Sequence, residues 1–350
     1  MAARTASSTS SSDTNERRRA WRSLVVLFVI LVTAQPLSIV AAIHYLETWG
    51  SHGNPHNQWR LYLADPPADI LYIGDSRVRE DVDGAAIARS LARGAGGAAR
   101  VSSIGIDAAK PSFTRAIAEQ VVHTGAPHRP RTIVIAVSEY QLNATWDDLA
   151  ASGGSQTPYF WQVGSPFDLS YTRVALEQDR DPERLLAGWM IPLLANYSVL
   201  VNGLQCDVAA LRSAPDCVDE YQNRLRVMDA VSLERWRHVI RDQYLGDFRP
   251  ASFQIESLER CVRDLQAAGV DVHLVVLPVY RVEELDPARY HDFLQVLGSV
   301  SLRTGVTLTD LHSMFDSQPE FFADPNHLNA RGAEALGPYL AAITSPKGGR

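Results

Sequence analysis

The sequence predicts an α/β protein, with three α/β/α layers around a mostly parallel sheet, a helical insertion and an N-terminal transmembrane helix. Three observations predict it. Short apolar runs alternate with amphipathic stretches near both ends of the chain, the pattern of parallel strands covered on both faces. That rhythm lapses over residues 141–250. The run from Ser23 to Ile43 carries no charge and, as a helix, is long enough to cross a bilayer core of about 30 Å.

In chain order, residues 1–22 are Ser/Thr-rich and then basic, a composition expected to form a disordered cytoplasmic tail. Residues 23–45 read as an anchor. Gln35 and Pro36 interrupt the run and Val32-Thr33-Ala34 resembles a signal-peptidase site, so a cleaved signal peptide is the competing reading. Either way the arginines before the run stay inside, which places residues 46–345 outside a bacterial cytoplasmic membrane. Gly50, Gly53 and Pro55 mark Glu47–Trp59 as a linker, although a helix there would present His52 and His56 as paired metal ligands. No metal is expected.

Strands are predicted at Asp69–Ile73, Val101–Ile104, Thr132–Val137, Val272–Leu277 and Val306–Leu308. Between them, Asp83 caps a helix that Gly94 ends, Pro111 starts another, Gly269 ends a third, Pro287 opens a fourth, and Asn329 caps the last. Residues 141–250 offer one helix, Ser232–Tyr244, with the aromatics Tyr159, Phe160, Trp161, Trp189 and Trp236 as core or as a strip that stacks on sugars. Cys206 and Cys217 are a candidate disulfide outside the cytoplasm or two buried thiols; Cys261 is left unpaired. Residues 346–350 form a tail.

Charge narrows the function. The whole chain has 33 basic and 40 acidic residues, a net charge of -7, and five of those arginines lie in the first 22 residues. The exported body is therefore strongly acidic, which excludes general nucleic-acid binding. No nucleotide-binding glycine loop occurs, so no cofactor is expected.

Candidate chemistry lies beyond the carboxyl ends of the strands, where ligands bind in such sheets. The first strand runs into Gly74-Asp75-Ser76-Arg77, with Gly74 expected to permit a tight turn. Before the last helix stands Asp324-Pro325-Asn326-His327. A serine hydroxyl needs a base, and the imidazole needs a carboxylate to fix its tautomer, so Ser76, His327 and Asp324 are the candidate triad.

These two blocks resemble the SGNH/GDSL hydrolase superfamily, and the stretches IGDSRVRED and FADPNHLNARGAEAL are similar to its membrane-anchored bacterial branch, which acts in envelope-polymer acylation. The resemblance covers about residues 69–140 and 252–345 and implies a flavodoxin-like topology. It also implies an oxyanion hole built from the Ser76 and Gly105 N–H groups. The family's third block usually supplies an Asn; Ser138 stands in that place, with Asn143 the other candidate. Asp75, Arg77, Asn143 and Asn326 are candidate substrate contacts, and Arg77 and Arg79 are alternatively a solvated helix approach paired with Glu80 and Asp81.

The expected function is thus an extracytoplasmic O-acetyltransferase or acetylesterase acting on an envelope or exopolysaccharide. A transferase would need a multi-helix membrane partner to deliver acyl groups. The alternative is a non-catalytic module of the same fold that binds polysaccharide or assembles a complex.

Overall fold

In the computed structural model, five strands form one parallel sheet in the order β2-β1-β3-β4-β5: β1 Ile70–Gly74, β2 Val101–Gly105, β3 Thr132–Ala136, β4 Asp271–Val276 and β5 Thr307–Asp310. The structure describes residues 21–26, 28–29, 33–42, 44, 55–94, 98–123, 129–145, 173, 226–281 and 283–345. Strand residues alternate between two apolar layers. Leu71, Ile73, Ile133, Ile135, Leu274 and Val276 face one, and Tyr72, Val134 and Val275 face the other.

Among the described residues from Pro55 onward, the helices are α1 Pro55–Ala64, α2 Ser76–Asp81, α3 Gly84–Arg93, α4 Pro111–His123, α5 Ala230–Tyr244, α6 Ser252–Ala267, α7 Pro287–Thr304 and α8 Ala330–Thr344. Phe113 and Ile117 of α4, Leu258 and Val262 of α6, and Phe293 and Leu297 of α7 cover the first layer. Ile87 and Leu91 of α3 with Leu336 and Leu340 of α8 cover the second. Burying such a side chain is worth roughly 1.5–3 kcal/mol, against about 1 kcal/mol for a helix cap. The apolar rhythm therefore sets the layers, and the caps at Asp83 and Asn329 set where helices begin.

The expected strands and caps are present within a residue or two. The expected linker is not: its last residues start α1, because Pro55 at the first turn is pre-set for a helix and Trp59 and Tyr62 find the first apolar layer. His52 lies outside the described residues, as do Cys206, Cys217, Tyr159, Phe160, Trp161 and Trp189. Cys261 is a buried free thiol. Of the expected insertion, α5 is described, capped by Asp229 and two residues longer at its start than predicted. Trp236 on it is half exposed. Residues 21–26 and 33–42 are helical, and among the described residues no helix is long and apolar enough to cross a membrane.

Candidate active site

The strand order reverses at β1, whose neighbours are β2 on one side and β3 on the other. Ser76 begins α2 directly after β1, at this switch point, beyond the strand ends where ligands bind in such sheets. Gly74 serves close packing here. A Cβ on it would lie 2.6 Å from Val78 Cγ2 and 3.1 Å from the Ala136 carbonyl oxygen, and its φ is not left-handed.

Ser76 Oγ lies 2.8 Å from His327 Nε2. On the other side of the ring, Nδ1 is 2.9 Å and 3.1 Å from the two carboxylate oxygens of Asp324. Asp324 ends the short strand β6 (Phe322–Asp324), and His327 opens β7 (His327–Leu328), its antiparallel partner. The Asn326 and His327 N–H groups both donate to Asp324 Oδ1, at 2.7 and 3.0 Å, so one carboxylate folds the turn and orients the ring.

Burial pulls the His327 pKa down, but the Asp324 charge and hydrogen bond, followed by Asp81 and Glu80, outweigh it and lift it from 6.5 to about 9. Burial pushes Asp324 up, and the His327 charge with its hydrogen bonds more than reverses this, leaving the carboxyl below its ordinary range. The arrangement can move a proton between a hydroxyl and an imidazole whose charged form is stabilised.

Six expected roles are revised by the structure. The Gly105 N–H donates to Gln58 Oε1 of α1 at 3.0 Å, so it is not an oxyanion donor; a Cβ there would meet the Arg79 backbone N at 2.2 Å, which is why a glycine stands at that position. The Ser138 hydroxyl donates to Asp75 Oδ2 at 2.6 Å and is buried, so its one hydrogen is already committed. Asp75 is no substrate contact: it caps α2 through the Arg77 N–H and holds Ser138.

Arg77 is 1% exposed, paired with Glu139 at 2.7 Å and bound through Nε to Asn326 Oδ1 at 2.8 Å. It cannot reach a polymer. Asn326 is buried and its amide oxygen is spent on that bond. Asn143 donates to the Tyr244 carbonyl and accepts from the Thr145 and Arg249 N–H groups, so both ends of its amide are engaged within the fold. Arg79 pairs with Glu80, as expected, and also with Asp107, but the Arg79–Glu80 pair is largely buried rather than solvated.

Two features escaped sequence reading. Ala108, in the turn after β2, has φ 54, a left-handed conformation that costs a non-glycine residue about 1–3 kcal/mol. That turn is tied to β1 by the Ile106 N–H on the Gly74 carbonyl, to α2 by Asp107 on Arg79, and to the segment after β3 by Gln141 on the Ala109 carbonyl. Among the described residues neither the Ala108 N–H nor the Ser76 N–H has a hydrogen-bond partner. The other is Asp81, expected as a solvated partner of Arg77 and Arg79 but fully buried and bonded to the Leu328 N–H instead.

No protein-family model matches the chain, and no curated protein matches it. Among solved structures it is similar to a mutant of Axe2, an acetyl-xylooligosaccharide esterase from Geobacillus stearothermophilus, at 13% identity over 80% of this chain and 95% of that one, with a TM-score of 0.39. It is likewise similar to a catalytic mutant of Axe2, described as an acetylxylan esterase, at 12% identity over the same shares and a TM-score of 0.38. Superposition this loose adds no argument about the chemistry of this chain.

Proposed function

We propose that this chain is a serine-dependent acyl-transfer enzyme of the SGNH/GDSL type, an acetylesterase or O-acetyltransferase acting on an envelope polysaccharide. The observation that carries the reading is the unbroken line from Ser76 Oγ through His327 to Asp324. Ser76 Oγ attacks the acyl carbonyl carbon while His327 Nε2 takes its proton and returns it to the leaving oxygen. The acyl group then sits as an ester on Ser76. Water, in hydrolysis, or a sugar hydroxyl, in transfer, attacks that ester and gives its proton to His327, and Ser76 Oγ recovers it. The unpartnered N–H groups of Ser76 and Ala108 are the donors for the oxyanion, each worth about 3 kcal/mol of barrier if aimed correctly.

Anchoring belongs to the same proposal. Leu24, Val25, Val26, Phe28, Val29, Leu37 and Val40 are exposed apolar side chains of the charge-free run, and a bilayer is their natural solvent. A transferase in this position takes its acyl groups from a multi-helix membrane partner. A non-catalytic binding module is the second reading, favoured by the engagement of both Gly105 and Ser138 within the fold.

The test is acetate release from acetylated oligosaccharides by the full-length protein in detergent, beside Ser76→Ala. Release by the wild type and its loss in the variant support the enzyme; a new ester on an added acceptor oligosaccharide supports transfer. Equal release by both proteins contradicts the reading, and release by neither supports the binding module.

A further inference from the structure

Helix α2 grips the turn that carries the imidazole at three successive positions. Arg77 Nε donates to Asn326 Oδ1, Ser76 Oγ meets His327 Nε2, and Asp81 Oδ1 accepts the Leu328 N–H at 2.7 Å. The nucleophile and the last of these grips sit at opposite ends of one six-residue helix. At about 1.5 Å per residue their separation along the axis is about 7.5 Å, a span that does not stretch.

Asp81 is 0% exposed and its Oδ2 has no partner among the described residues. A buried carboxyl with an idle oxygen is costly, and an apolar side chain would carry no such penalty. The bond it does make is to the backbone of the residue next to the catalytic base. β7 has two residues, and Asp81 is the side chain that accepts the N–H of the second. Burial pushes the Asp81 carboxyl well above the usual range, while the His327 charge and the Leu328 N–H pull it back.

We propose that Asp81 is a positioning residue: by holding the Leu328 N–H it sets where His327 stands relative to Ser76, so that one short helix fixes both partners of the proton transfer. The inference rests on the esterase reading for its catalytic consequence. An amide oxygen accepts the same N–H, so Asp81→Asn retains the bond, whereas Asp81→Ala and the similarly branched Asp81→Leu abolish it.

In the full-length protein, Asp81→Ala and Asp81→Leu are expected to lower kcat about 10- to 100-fold with KM within about twofold, the cost of a misplacement near 1 Å. Asp81→Asn is expected to stay within about threefold of wild type. Hydrogen exchange in the peptide covering 322–330 is expected to accelerate in the first two variants and not in the third, with circular dichroism confirming that each has folded. Unchanged exchange at Leu328 in Asp81→Ala or Asp81→Leu overturns the proposal, as does an Asp81→Asn enzyme as slow as Asp81→Ala. Exchange is read without turnover, so an inactive wild type would defeat the esterase reading while leaving the grip on Leu328 to be decided by its own measurement.

Discussion

Two histidines stand near the carboxyl edge of the sheet, each with an aspartate on Nδ1. His312 follows β5 and bonds Asp310 Oδ1 at 2.7 Å; His327 follows β6 and bonds Asp324 at 2.9 Å. In both, burial pulls the imidazole pKa down and carboxylates more than reverse it. They differ at Nε2. His312 meets a second carboxylate, Glu283, there, while His327 meets the Ser76 hydroxyl. A ring held between two carboxylates has its charged form favoured and ties the β4–α7 connection to β5. A ring between an anion and an alcohol has somewhere to send its proton. The Asp–His pair is common to both, and only the group on the far nitrogen separates an ion-pair hub from a base.

That contrast can be broken most severely at Ser76. Ser76→Ala is expected to lower kcat/KM by at least about 10⁴-fold, while the midpoint of urea unfolding stays near wild type. Next in size is pH. His327 acts as base only when neutral, so kcat/KM of the free enzyme should climb about tenfold per unit from pH 6 and level off above about 9, a rise of roughly fiftyfold between pH 7 and 9. A flat profile over that range removes His327 from the role. The stabilising contribution of the protonated ring runs the other way: complete below about 6.5, it fades as pH rises through about 9.

Smaller effects sharpen the comparison. His312→Gln is expected to leave kcat within about twofold and to cost about 2 kcal/mol of unfolding free energy, the loss of charge-assisted hydrogen bonds. Ser138→Ala should cost about 1–2 kcal/mol through the hydrogen bond lost from Asp75, with activity within about tenfold. If Ser138 were an oxyanion donor instead, the loss would be about 10²- to 10³-fold in kcat.

The layers were legible because strands buried on both faces read as continuous apolar runs, and the caps were legible because Asp83 and Asn329 are local signals. Ser76, Asp324 and His327 stood out as two short blocks, and the structure brings those blocks together. What surrounds them was misread for one reason. Asp75, Arg77, Ser138 and Asn326 are polar residues beside a candidate nucleophile, and sequence does not distinguish a side chain facing substrate from one spent on its neighbours. Their partners are as far as 249 positions away, as for Arg77 and Asn326. The Gly105 N–H is taken by Gln58, in a helix that the glycines and proline before it concealed. Ala108 left no trace because a left-handed alanine has no composition signal.

The central claim is that Ser76 is an alcohol made nucleophilic by His327, and a fluorophosphonate probe reads it directly. Incubation of the full-length wild type, followed by peptide mass spectrometry, is expected to find one adduct, on Ser76, forming faster as pH rises toward 9 and absent from His327→Gln. An unmodified Ser76 beside a folded protein, or an adduct that forms equally fast without His327, would contradict it.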